Sequence, residues 1–221
     1  LAIRRVWHED RGFRKTEILN RAVVAATGDY QIISDGDCIP REDFVAVHMH
    51  EARPSTFLSG GYVKLPRGLS ETLTLEDVRS GSVFKGSWLA ARGWRGGRRR
   101  LRLTRSRKLG SLLDRVTPTR PTWNGHNAST WKSAVVGVNG FDMDMGYGGL
   151  DRALGERLVN LGVPGRQIRH RAPCLHLWHP RPYRSAEVAA GNRAIRDRIR
   201  ANGEVRARLG IAELEEADAG V

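Results

Sequence analysis

Tyr30-Gln31-Ile32-Ile33-Ser34-Asp35-Gly36-Asp37-Cys38-Ile39-Pro40 carries the reading of the fold. Its first four residues are a short β-rich run, and the Gly and Pro that follow enforce a turn. An acidic pair therefore stands at the C-terminal end of a strand, the edge at which open α/β sheets bind ligands. Upstream, residues 12–28 put Phe13, Ile18, Leu19, Ala22, Val23 and Ala26 on one face of a helix that ends near Gly28. Downstream, residues 42–52 read as a second short helix. Residues 57–65 read as a strand with a weak point at Gly60-Gly61.

Further along, residues 133–141 read as a strand that leads into Gly146-Tyr147-Gly148-Gly149. A helix follows with Leu154, Leu158 and Leu161 on one face and stops at Gly162, before Pro164. Residues 185–209 have the pattern of a charged surface helix broken near Gly203. Residues 211–221 turn acidic and small, as fraying tails do.

With 221 residues, 40% of them hydrophobic, the chain is long enough to bury one sizeable core. The formal charge of +13 and pI near 10.9 point to a polyanionic neighbour: nucleic acid, anionic lipid or a phosphorylated substrate. Cys38 and Cys174 stand far apart, which argues against a disulfide framework and for a reducing, cytoplasmic setting. No apolar run reaches the roughly 18 residues that span a bilayer. No acidic residue occurs between Asp77 and Asp114, while Arg92 to Lys108 holds nine Arg or Lys interleaved with Trp94, Leu101 and Leu103, just after Trp88. That basic amphipathic segment suits peripheral contact with anionic lipid at the inner face of the plasma membrane, or a solvated positive loop.

Three constellations can carry chemistry. Asp35-Gly36-Asp37 can hold a divalent ion and a ribose hydroxyl, with Gly36 leaving room for a bulky group; the same residues also serve an ordinary turn. In His176-Leu177-Trp178-His179-Pro180 two imidazoles three residues apart can reach one metal of the Mn²⁺ kind, or stay as hydrogen-bonded histidines. Asp151, after Gly148-Gly149-Leu150, stands in the first turn of a helix. There it either stabilises the helix terminus or acts as a general base at a glycine-lined floor. His48 and His50, two apart on a helix, cannot face one metal together.

In order, Gly12-Phe13-Arg14, Leu19-Asn20-Arg21-Ala22, Gly28-Asp29-Tyr30, Ser34-Asp35-Gly36-Asp37-Cys38-Ile39-Pro40, Asn139-Gly140-Phe141, Gly146-Tyr147-Gly148-Gly149-Leu150-Asp151 and His176-Leu177-Trp178-His179-Pro180 resemble family 2 glycosyltransferases. The C-terminal half is especially similar to the β-1,4-galactosyltransferase catalytic region. The resemblance covers roughly residues 5–183.

What the resemblance implies is an α/β fold of the GT-A, Rossmann-like type, a mixed and mainly parallel sheet with helices on both sides. It implies transfer of a sugar from a nucleotide-sugar donor to a saccharide or glycolipid acceptor with Mn²⁺ or Mg²⁺, as in bacterial surface polysaccharide or glycolipid synthesis. Asp37 matches the metal-binding carboxylate of the D-x-D element and Asp35 its companion near the ribose. His179 and His176 match later metal ligands, and Asp151 the catalytic base. Arg14 and Lys15 lie where the family contacts nucleotide phosphates. Tyr147, Gly148 and Gly149 form the acceptor floor. Trp123, Asn124, His126 and Asn127 are acceptor-side candidates by position. Tyr147 stands where the family has Trp, and Leu150 where it has a Glu that holds acceptor hydroxyls. A first βαβ region that grips the nucleobase is expected upstream of Leu1. The catalytic domain is expected over 1–183 and a charged helical extension over 184–221.

The rival reading is a basic membrane- or nucleic-acid-binding module without catalysis, or an inactive fragment. No nucleic-acid motif supports that module, and carboxylates at a ligand edge repel phosphates unless a metal intervenes, so no nucleic-acid partner is expected.

Overall fold

The computed structural model describes residues 3–180 and 185–214. The domain boundary expected at 183/184 and most of the acidic tail lie outside these residues. The chain runs through α1 (Lys15–Ala25), β1 (Tyr30–Ile33), β2 (Cys38–Pro40), α2 (Phe44–Glu51), β3 (Phe57–Ser59) and β4 (Gly61–Lys64). Short helices α3 (Arg67–Thr72), α4 (Leu75–Arg79) and α5 (Gly86–Ala91) lead to α6 (Arg107–Val116), β5 (Ala128–Trp131) and α7 (Lys132–Gly137). Then come α8 (Leu150–Asn160), β6 (Gly165–Gln167), β7 (Pro173–His176) and α9 (Ala186–Asn202).

The strands form two small mixed sheets flanked by helices, one ordered β1-β5-β3-β6 and the other β2-β7-β4. Only the β3–β6 and β4–β7 pairs are parallel; β1–β5, β3–β5 and β2–β7 are antiparallel. The expected α/β fold with mixed sheets is present, but without the parallel majority.

The weak point at Gly60-Gly61 proves to be a change of sheet, since β3 belongs to the first and β4 to the second. A Cβ at Gly60 would fall 1.8 Å from Asn127 Oδ1, and one at Gly61 2.4 Å from the Arg169 carbonyl, so only glycine fits this crossing. The strand expected over 133–141 is a second correction. The apolar Ala134-Val135-Val136 lies in α7, and the strand is the more polar Ala128–Trp131 just before it. Ser129 and Thr130 are fully buried there because their hydroxyls are satisfied. Ser129 Oγ meets Tyr30 Oη at 2.8 Å and His48 Nδ1 at 2.7 Å, and Thr130 Oγ1 donates to the Thr56 carbonyl at 3.1 Å. Hydrogen bonding, not apolar alternation, holds this central strand inside.

The main core joins Val23, Phe57, Trp123, Val135, Phe141, Leu154 and Leu158 with Ile199 and Ile211, so the residues after 184 close the same core as α8. A second cluster gathers Val63, Leu65, Leu69, Phe84, Leu89 and Leu175 under the short helices. Trp94 and Leu103 are buried in that cluster as well, and the Arg92 guanidinium lies 3.6 Å from the Trp88 ring centroid. Trp94 and Leu103, which the basic segment contributed to a membrane-facing reading, are thus spent on the interior.

Candidate active site

A cleft of about 660 Å³ opens where the β1–β2 turn, the start of α1, the glycine loop before α8 and the end of β7 converge. Lys15, Asp35, Gly36, Asp37, Tyr147, Gly148, Gly149, Asp151, His176 and His179 line it, with Phe13 and Leu150. Residues more than 100 positions apart are brought together by one strand pairing. β2 lies antiparallel to β7 with Cys38 opposite His176, which sets the acidic turn beside the histidines. β1 feeds the same turn from the other sheet.

Asp37 faces both imidazoles. His179 Nε2 lies 3.1 Å and His176 Nε2 3.8 Å from Asp37 Oδ2, and the two rings stack at 5.4 Å. His176 Nδ1 sits 2.7 Å from the Leu177 carbonyl and His179 Nδ1 2.7 Å from the Pro180 carbonyl. A carbonyl only accepts, so each Nδ1 donates there and leaves each Nε2 as the ring atom turned toward the carboxylate. Two imidazole Nε2 atoms and a carboxylate oxygen facing one another are a donor set that a divalent cation can bridge, and oxygen with imidazole suits Mn²⁺. Cys38 also comes within ligand range of Asp37 and His176. A hydrogen bond with Cys174, with burial and the nearby carboxylates, pushes its thiol far above the ordinary value; a cation bound beside it would act in the opposite direction.

Lys15 reaches across the cleft to Asp35, Nζ to Oδ1 at 2.6 Å. Burial opposes its charge, yet Asp35 beside it and Asp151 and Asp37 farther off hold its pKa above the ordinary value. Gly36 is exposed, with open space where a side chain would stand.

Asp151 is delivered by a turn that needs glycine: Gly148 and Gly149 have φ of +102° and +85°, left-handed conformations that L side chains rarely adopt. The Asn192 amide on α9 fixes that loop, donating to the carbonyls of Gly146 (3.1 Å), Tyr147 (3.3 Å) and Gly148 (2.6 Å). Asp151 packs over Gly125, where a Cβ would stand 2.7 Å from Oδ1, and Oδ1 has no hydrogen-bond partner. Burial raises the Asp151 pKa from its ordinary 3.8 to about 6; Lys15 draws it down, Asp35 raises it and the Gly125 backbone lowers it slightly. A buried carboxylate with a free oxygen and a pKa near 6 is able to accept a proton near neutral pH.

Three of the expected site residues do not line this cleft. Arg14 is not in the cleft: its Nε donates to Glu17 Oε2 at 2.7 Å, and Lys15 is the cation that faces the acidic turn. Trp123 is 1% exposed, packed with Phe57 in the main core, and offers no ring to an acceptor. Asn127 is fully buried, donating from Nδ2 to the carbonyls of Gly61 (2.8 Å) and Ala172 (2.7 Å), while Oδ1 meets His48 Nε2 at 3.0 Å. Its role is to join the two sheets. Asn127→Ala is therefore expected to destabilise the fold by about 3 kcal/mol, because buried partners lose their bonds. Thermal or denaturant unfolding measures it; a stability change under about 0.5 kcal/mol would return Asn127 to a surface role.

Asn124 is likewise tied to β3, donating to Ser59 Oγ at 3.2 Å. His126 stands behind the metal-facing histidines, 6.3 Å from the His176 ring and 4.4 Å from Tyr62. Burial pushes its pKa down to about 4, so it is neutral. The residue that sequence reasoning missed is Asn192. It lies some forty positions beyond the loop it holds, in a segment that reads only as a charged helix.

No protein-family model matches the chain, and no curated protein matches it. Among solved structures, it is similar to the mannosyltransferase PcManGT from Pyrobaculum calidifontis, solved in complex with GDP-Man and Mn²⁺. The identity is 18% and the TM-score 0.46, over 96% of this chain and 60% of that one. The chain thus spans about three fifths of that protein's length. A likeness of this size carries no argument about activity or residues.

Proposed function

We propose that the protein is an inverting, metal-dependent glycosyltransferase of the GT-A type, moving a sugar from a nucleotide-sugar donor to a saccharide or glycolipid acceptor. The observation that carries this is one cleft that holds two kinds of chemical group. Asp37 with His176 and His179 forms an O,N donor set, and Asp151, a buried carboxylate with a raised pKa, stands on a glycine turn in the same cavity. A Mn²⁺ or Mg²⁺ ion held by Asp37, His179 and His176 would supply charge neutralisation for a departing nucleoside diphosphate.

The chain's own residues do the rest. Asp35 accepts from the donor's ribose, and the open space over Gly36 admits the diphosphate. Lys15, already paired with Asp35, adds the positive charge that the family resemblance placed partly on Arg14. Phe13 and Tyr147, edge to face at 5.5 Å, make an aromatic wall on which a sugar face can rest. Gly148 and Gly149 let an acceptor approach the backbone. Asp151 takes the proton from the acceptor hydroxyl as that oxygen bonds to the anomeric carbon. The bond from that carbon to the diphosphate oxygen breaks, and the electron pair leaves with the nucleotide. One displacement inverts the anomeric centre.

Leu150 is 4% exposed within the main core, so it offers nothing to acceptor hydroxyls; acceptor recognition falls to other residues of the cleft. A place in surface polysaccharide or glycolipid synthesis follows from this reading. No described helix is long and apolar enough to cross a membrane.

The test is release of nucleoside diphosphate from a panel of UDP-, GDP- and dTDP-sugars, with Mn²⁺ or with EDTA, and with or without saccharide acceptors. Metal-dependent release stimulated by one acceptor supports the reading. No release from any donor with any acceptor would refute it.

A further inference from the structure

The two buried positions of α6 are small or polar, Gly110 and Asp114, with Leu113 half-buried beside them. Asp114 Oδ1 accepts from the His170 backbone N–H at 2.8 Å and ring Nδ1 at 2.9 Å, and Oδ2 from Arg171 Nε at 2.8 Å. Arg171 in turn pairs with Glu51 of α2 at 2.5 Å. Gly110 lets the helix close on the 168–171 turn; a Cβ there would stand 3.0 Å from Arg171 Cγ and 3.2 Å from the His170 carbonyl.

The outward face is apolar. Leu109, Leu112 and Val116, spaced as one side of a helix, are 41%, 53% and 60% exposed. A helix that stabilises a fold from water does the reverse. Lys108 and Arg115 run along one side of these three side chains and Arg107 stands at the helix start, all exposed and without an ion pair among the described residues. Between α6 and α2 lies a groove of about 420 Å³; of its cations, Arg41, Arg105 and Arg171 pair with Asp43, Glu42 and Glu51, while Lys108 and Arg115 have no ion pair among the described residues.

We infer that α6 is the surface by which this protein lies on an anionic lipid bilayer. Leu109, Leu112 and Val116 enter the boundary between headgroups and acyl chains, while Arg107, Lys108 and Arg115 take anionic headgroups. Charge and polarity together select this occupant. A second copy docked face to face would set the same cations against each other. A nucleic acid would match the charge and leave the leucines in water. The inference is independent of the catalytic reading, and it moves the membrane contact from 92–108 to 107–116.

The experiment is co-sedimentation of the protein with vesicles of phosphatidylcholine alone or mixed with phosphatidylglycerol, at low and high salt. The protein is expected to sediment with the anionic vesicles, less so at high salt. The Leu109→Ser/Leu112→Ser/Val116→Ser variant keeps every charge. It is expected to bind anionic vesicles at least about tenfold more weakly, because apolar burial adds to the electrostatic attraction. Its melting temperature should stay near that of the native protein, since the altered side chains face solvent. The Arg107→Gln/Lys108→Gln/Arg115→Gln variant leaves the apolar face intact and gives a second reading; it too is expected to lose binding. Equal sedimentation with neutral and anionic vesicles overturns the inference, as does undiminished binding of the serine variant. So do preferential binding of an oligonucleotide over vesicles, and a native dimer that the serine variant dissociates without any vesicle binding.

Discussion

Asp151→Asn is expected to lower sugar transfer by at least about 10²-fold, the usual consequence of removing a general base. Metal and nucleotide binding should persist, because they are assigned to Asp37, His176, His179 and Asp35 rather than to Asp151. The stability of this variant separates the two readings of the residue further. In the folded protein the Asp151 pKa is raised from 3.8 to about 6, so between roughly pH 4 and 6 the folded state holds a proton that the unfolded chain has released. Stability therefore falls as pH rises through that window, and the full penalty is present above about pH 6. The difference, at about 1.4 kcal/mol for each pH unit, sets a ceiling near 3 kcal/mol on what Asn recovers at neutral pH. The expected result is a slow enzyme at least as stable as the native one at pH 7 to 8, with the native stability gap closing toward pH 4. Transfer by the native protein should rise with pH through about 6 as the base ionises. Near-native transfer by the Asn variant would leave Asp151 a helix-terminus residue and the base unidentified.

Asp37→Ala is expected to remove metal-dependent donor binding. Its Oδ2 is the atom on which both histidine Nε2 atoms converge, and the side chain is 30% exposed, so the loss should be of function rather than of fold. Isothermal titration of Mn²⁺ in the presence of a nucleoside diphosphate should show affinity reduced by at least about 10²-fold, beyond the 10- to 100-fold typical of outer partners of a metal ligand. His179→Ala should move in the same direction by less, since His176 retains a nitrogen donor. Asp151→Asn provides the control, with binding unchanged. Unaltered Mn²⁺ affinity in both the Asp37 and His179 variants would remove the metal assignment.

How much of this was legible in the sequence depends on how local the signal is. Tyr30–Ile33 and the turn after it were readable because β-rich residues and Gly-Pro punctuation act within a few positions. The helix stop at Gly203 was readable for the same reason, since Gly203 takes the left-handed conformation at φ +64° that ends α9. The strand at Ala128–Trp131 was hidden, because Ser129 and Thr130 are buried through partners on β1, α2 and the approach to β3 that no local pattern reveals. Ala134-Val135-Val136 misled because a short apolar run fits a buried strand or a helix equally well. Arg14 and Lys15 are neighbours in sequence, and only the Glu17 carboxylate one helical turn away decides which of them is free to face the cleft. Asn127 and Trp123 look like ligand residues in a polar loop. They are interior because Gly60 opens room for Asn127 and Gly155 for Trp123, a Cβ at Gly155 falling 2.7 Å from Trp123 Cβ. The family resemblance supplied the pairing of the acidic turn with the late histidines, which spacing alone left open.

The measurement that bears most directly on the account is proton NMR of the product formed from an α-linked nucleotide sugar, Mn²⁺ and an acceptor that stimulates nucleotide release. The account predicts a β-linked product, formed by native protein and lost in Asp37→Ala and Asp151→Asn alike. An α-linked product, or a β-linked product formed at the native rate by either variant, would contradict it.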